Sequence, residues 1–129
     1  MKNASTLLFV VASLFLSSCA SVPPPKGSVE HIVLAWLKKP GDAADRAKIV
    51  AASKSLKADI AEVQSLRVGQ ALPSDREIVD DSFDIALVMT FKDKAAMDRY
   101  EKHPAHVKAV TDVLKPLTAK IVVHDFINE

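Results

Sequence analysis

The sequence predicts an α+β fold of four antiparallel strands and two helical segments, in the order strand, helix, strand, strand, helix, strand. Three observations predict it. Residues 29–37 and 83–91 alternate with the two-residue period of a strand, and each is apolar on both faces. The segments that follow Asp42 and Asp93 repeat their apolar residues every three to four positions, as a helix with one buried stripe does. The chain after Cys19 has the length of one ordinary domain, so a single core must serve all of these elements.

In the first strand Val29, Val33 and Leu37 fall on one face and Ile32, Leu34 and Trp36 on the other, which calls for cover on both sides. Pro40 and Gly41 break the chain. Asp42 then caps a helix, Asp45 suits its first turn, and Ile49, Ala52, Leu56, Ile60 and Val63 continue at helical spacing. Residues 66–72 read as a second strand and residues 73–82 as a polar, charged surface loop. In residues 83–91, Phe83, Ile85, Leu87, Met89 and Phe91 share one face, and Ala86, Val88 and Thr90 the other; neither is polar. Asp93 caps a second helix through Tyr100. His103 and Pro104 interrupt it, and Val107, Val110, Val113 and Leu114 continue a stripe that Pro116 is expected to stop. Residues 119–127 close the domain as the last strand. This order matches the split βαβ, or ferredoxin-like, arrangement: a four-stranded antiparallel sheet with its helices on one face.

Two helices cover only one face of such a sheet. Leaving Ile32, Leu34 and Trp36 in water would forfeit roughly 1.5–3 kcal/mol for each large side chain. A second copy laid sheet against sheet would bury them, so a homodimer is expected.

The start of the chain reads differently. Lys2 is followed by an apolar stretch from Leu7 to Leu16, then by Ser17, Ser18 and Cys19, the pattern of an export signal over residues 1–18. The stretch is about half of the roughly 20 residues a spanning helix needs. Leu16-Ser17-Ser18-Cys19 resembles a lipobox, in which the cysteine becomes the first residue and carries the lipid. Residues 19–28, with Pro23, Pro24 and Pro25, form a short extended tether, and residues 29–129 form the domain. The expected location is therefore the cell envelope, lipid-anchored to a membrane. Ala20 in place of Asp resembles lipoproteins sorted to the periplasmic side of an outer membrane. Cys19 is the only cysteine, so no internal disulfide can form. Lys2 is the only charge ahead of it, and the remaining chain carries sixteen basic and sixteen acidic residues, which gives no field to attract nucleic acid.

Val29-Glu30-His31-Ile32-Val33, Gly69, residues 83–91, Tyr100-Glu101-Lys102-His103-Pro104-Ala105-His106 and Asp125-Phe126 together resemble the stress-responsive α/β-barrel (Dabb) family. The resemblance covers nearly everything after the tether. It implies a dimeric α+β barrel with a cavity between the sheet and the helices of each subunit. Some members are cofactor-free polyketide cyclases of the olivetolic-acid type, whose catalytic tyrosine and histidine fall on Tyr100 and His106, with His31 matching a further pocket histidine. Those cyclases carry one more histidine in the third strand, where this chain has Ile85.

Such chemistry suits these side chains. Histidine is the side chain that changes charge near neutrality and can take a proton from carbon next to a carbonyl, and a phenol can hydrogen-bond the oxyanion that forms. No metal or cofactor is implied. His106 shares a helical face with Val110 and Val113, and His31 a strand face with Val29 and Val33, so both are expected to point inward. Three functions stay open at this point: a pocket that binds a small apolar or aromatic molecule through His31, Tyr100 and His106; an enzyme with His106 as base and Tyr100 as donor; and an envelope interaction protein in which these residues only pack. His103 and His106 as a metal pair lack further ligands of the needed kind. Asp125, near the chain end, is expected to be solvated or paired with a nearby Lys or Arg.

Overall fold

A computed structural model describes residues 23–129. The expected export signal and Cys19 lie outside the described residues. The sheet has the order β2-β3-β1-β4, with every neighbouring pair antiparallel. β1 (Val29–Leu37) lies between β3 (Ile85–Phe91) and β4 (Thr118–Ile127), while β2 (Val63–Gly69) forms one edge. One face of the sheet is covered by α1 (Ala43–Asp59), α2 (Lys94–Lys102) and α3 (Pro104–Ala109), the last continuing through a π-helical turn (Val110–Leu114) into α4 (Lys115–Leu117). This is the ferredoxin-like α+β arrangement that the element order predicts.

The capping chemistry explains the helix starts. Asp42 accepts the Asp45 N–H, and Asp93 accepts the Ala96 N–H, both at 2.8 Å. Asp84 holds the turn between β1 and α1 by accepting N–H groups from Leu37 (2.8 Å) and Gly41 (2.7 Å). Gly41 sits there at φ +75°, a conformation that disfavours any side chain.

The element boundaries differ from the sequence reading most at four places. α1 ends at Asp59: Ile60 is extended, its N–H closing on the Leu56 carbonyl, and the chain turns so that Val63 opens β2 instead of ending the helix. Ile60 and Val63 are both fully buried, because a tight turn places residues three apart in one core as readily as a helix does. β2 therefore runs three residues earlier than expected. Phe83 precedes β3 and stands edge-on against Trp36, 6.4 Å between centroids, not in line with Ile85. Pro116 does not stop the last helix. It lies inside α4, directly after the π turn; proline offers no N–H and crowds the carbonyl four residues back, and the widened turn accommodates it.

The core beneath the helices has two parts. Phe91, Met89, Ile60, Val63 and Tyr100 pack at the end of the sheet where β1 begins, and Ile49, Ile85, Leu87, Ala35 and Leu37 at the other. The open face carries Ile32, Leu34, Ala86, Val88 and Val122, but it is not uniformly apolar. Glu30 is buried in it, accepting from the Thr90 hydroxyl at 3.0 Å and facing the Arg67 guanidinium at 3.4 Å, with Ser65 bonded to Thr90. Strand alternation put Glu30 on that face; only the sheet shows that β2 supplies its partner. The tether is fixed at its end: Gly27 donates to the Asn128 carbonyl (2.8 Å) and Asn128 donates back to Ser28 (2.9 Å), tying the start of the domain to the end of β4. Among the described residues no helix is long and apolar enough to cross a membrane.

Candidate active site in the helix–sheet cavity

Between α1, the α3–π segment and the covered face of β1, β3 and β4 lies a cavity of about 420 Å³. Its walls are mostly aliphatic: Val33, Leu87 and Ile121 from the sheet, Ile49 and Leu56 from α1, Val110, Val113 and Leu114 from the π turn. The polar groups gather at the end where β1 begins. His31, Tyr100 and His106, taken from three separate elements, all line this one cavity.

His31 points under the helices because it shares parity with Val29 and Val33, and it is buried. The β1–β4 register sets Asp125 directly opposite it. Its Nδ1 lies 2.6 Å from an Asp125 carboxylate oxygen, so Nδ1–H donates and Nε2 is left as the basic nitrogen. Asp125 keeps 39% of its side chain in solvent while His31 keeps 8%, so the carboxylate stays hydrated as it steadies a buried ring. Asp125 is thus partly solvated, as its position near the chain end suggested, but its partner is a histidine instead of a Lys or Arg. The signal that finds it is the strand register, which residue type alone does not give.

Tyr100 ends a turn of α2, with its ring 4.8 Å from Phe91, 6.0 Å from His31 and 4.4 Å from His106. His106 is placed by the break ahead of it. Pro104 starts α3, and His103 turns its Nδ1 to accept the Ala105 N–H at 3.2 Å, a cap that takes it out of the cavity and away from His106. That break also frees the Glu101 carbonyl at the end of α2, and the His106 ring takes it up by donating from Nδ1 at 2.9 Å. Both cavity histidines are therefore held through Nδ1 with Nε2 remaining. Ser53, which the sequence reading did not single out, also lines the cavity, but its hydroxyl donates to the Ile49 carbonyl at 2.8 Å.

Burial, reinforced by the negative charge of Glu101, pushes the Tyr100 phenol well above its ordinary value of 10. It therefore stays a neutral donor. Tyr100 is the only tyrosine in the chain, so phenolate absorbance reports on it alone. In the unfolded chain the phenol ionises near 10, and in the folded chain only at higher pH; above 10 the unfolded state binds fewer protons, and stability falls as pH rises. Alkaline titration is expected to show no phenolate at pH 10 and then its appearance together with loss of folded structure. Half-ionisation at pH 10 with the fold intact would show the hydroxyl to be solvated.

The sequence matches the model of the stress responsive A/B barrel domain over residues 29–128. The chain belongs to that family. No curated protein matches its sequence. Among solved structures, a Dabb-family protein from Mesorhizobium loti with a ferredoxin-like fold superposes with TM-score 0.67 at 24% identity, over 81% of this chain and 99% of that one. A dimeric protein of unknown function from Bacteroides fragilis gives 0.60 at 23% identity, over 79% and 97%. The hydroxynitrile lyase of Passiflora edulis gives 0.71 at 25% identity, over 81% and 96%. The A/B barrel fold thus carries an enzyme in at least one relative and dimers of unknown function in others.

Within this A/B barrel domain, the cavity gathers two histidines and a desolvated phenol at one end, with an apolar space beyond. That set can accept a proton, hold the resulting imidazolium against a carboxylate, and hydrogen-bond an oxygen that gains charge.

Proposed function

We propose that this A/B barrel protein binds a small apolar or aromatic carbonyl compound in the helix–sheet cavity and moves a proton on it without a cofactor. The observation that carries this is the His31–Asp125 pair opening on an apolar cavity beside Tyr100. A pocket that only held an apolar molecule gains nothing from a carboxylate behind a buried imidazole, whereas a proton-transfer site gains an orienting and charge-balancing partner. Tyr100 hydrogen-bonds the carbonyl oxygen. A histidine takes the proton at its free Nε2 and, as the imidazolium so formed, returns it: His106 is the base beside Tyr100, and His31, backed by Asp125, is a second base and the better suited to hold the charge. The Passiflora edulis relative, a hydroxynitrile lyase, supports the reading as an enzyme on the same fold.

Two further parts complete the proposal. The apolar open face, and the dimers among its structural neighbours, support a homodimer with the two sheets face to face. Cys19 carries the lipid that holds this dimer at a membrane of the cell envelope.

The test is native mass spectrometry of the full chain extracted in detergent, followed by turnover with an aromatic cyanohydrin and with a phenyl-substituted β-diketone in deuterated water. A dimer retaining a small molecule, with cyanohydrin cleavage or α-carbon exchange lost in His106→Ala and Tyr100→Phe, is the expected result. Retention without turnover would reduce the cavity to a binding pocket, and an empty protein indifferent to both substitutions would overturn the proposal.

A further inference from the structure

The cavity has a rim as well as a head. Large apolar side chains stay exposed around it: Val107 on α3, next to His106, and Val123 and Ile127 on the covered side of β4, on either side of Asp125 in the strand. Of these, Val123 lines the cavity, Val107 follows the lining residue His106, and Ile127 lies on the same face of β4 as Val123, so the exposed apolar side chains reach the interior through Val123. The strip ends where the tether begins, because Asn128 is the residue to which Gly27 and Ser28 are bonded. From Cys19 to Gly27 is about eight residues, which span at most about 28 Å when fully extended. Along β4, Val123 and Ile127 are about 14 Å apart.

We propose that the Val107–Val123–Ile127 rim rests in the surface of the bilayer to which Cys19 is attached, so that the cavity opens onto lipid and takes a membrane-soluble ligand from it. The inference rests on the lipid-anchored reading of Cys19. A short tether leaving from the rim keeps this end of the domain within reach of the bilayer, and the exposed valines and isoleucine gain from entering it. The opposite end, with Trp36, lies about 24 Å further along β1 from Val29 and faces away.

Trp36 is the only tryptophan, which supplies an internal control. The lipidated chain, beginning at Cys19, is bound to vesicles of phosphatidylethanolamine and phosphatidylglycerol with brominated acyl chains, and emission is compared for wild type, Val107→Trp and Ile127→Trp. Trp36 should keep its emission. The added tryptophan in either variant should lose about twofold or more, as expected for a side chain sitting about 5–10 Å into the headgroup and acyl boundary. Two variants are used so that a folding failure in one leaves the other. Sedimentation with the vesicles separates the two ways to fail. A chain that pellets but whose added tryptophan is no more quenched than Trp36 overturns the orientation alone, and a chain that carries no lipid and does not pellet overturns the anchor together with everything built on it.

Discussion

Phe91→Ala is expected to cost the domain about 3–5 kcal/mol, a large part of the 5–15 kcal/mol that a domain of ordinary stability has. Phe91 has no exposed surface, lies opposite Val29 and Val63 in the sheet, and packs its ring against Tyr100 at 4.8 Å and edge-on to His31 at 6.2 Å. Removing it withdraws the floor on which two of the three cavity residues stand, so ligand retention should fall along with stability. Urea unfolding followed by circular dichroism reads the first effect and native mass spectrometry the second. A loss below about 1 kcal/mol would mean that the surrounding side chains collapse into the space, contrary to a well-packed core.

Asp125→Asn is expected to lower turnover by about 10²- to 10⁴-fold while the ligand is still held. The carboxylate accepts from His31 Nδ1 and so leaves Nε2 basic. An amide can turn its NH₂ toward Nδ1 instead, which moves the ring proton to Nε2 and takes away one of the two bases; it also removes the charge that balances the His31 imidazolium. Because Asp125 is partly solvated and lines no part of the cavity wall, ligand contacts should persist. Steady-state kinetics beside ligand titration separates the two effects. Unchanged turnover in Asp125→Asn would leave His106 as the sole proton carrier and make the His31–Asp125 pair structural.

Much of the fold was legible because it depends on local periodicity. β1 is bounded by Val29 and Leu37 as the alternation indicates, and Asp42, Asp93 and Pro104 mark the helix starts by capping and by proline geometry. The misread boundaries are those where one spacing fits two structures. Ile60 and Val63 suit a helix or a turn into a strand, and Pro116 ends a regular α-helix but not one widened by a π turn. Local pattern cannot decide between them, since the choice is made by what each residue meets across the core.

The site divides along the same line. Residue type and parity by themselves determined that His31 on a strand and His106 on a helix turn inward, that Tyr100 lies on the helical segment ahead of His106, and that the domain has an apolar face its own helices cannot cover. The tertiary structure decided the partners. The β1–β4 register set Asp125 against His31 across 94 positions of sequence, the break at His103 offered the Glu101 carbonyl to His106, and β2 brought Arg67 to Glu30. Which nitrogen of a histidine stays basic depends on the group bonded to the other, and for His31 that group is supplied by a strand at the far end of the chain.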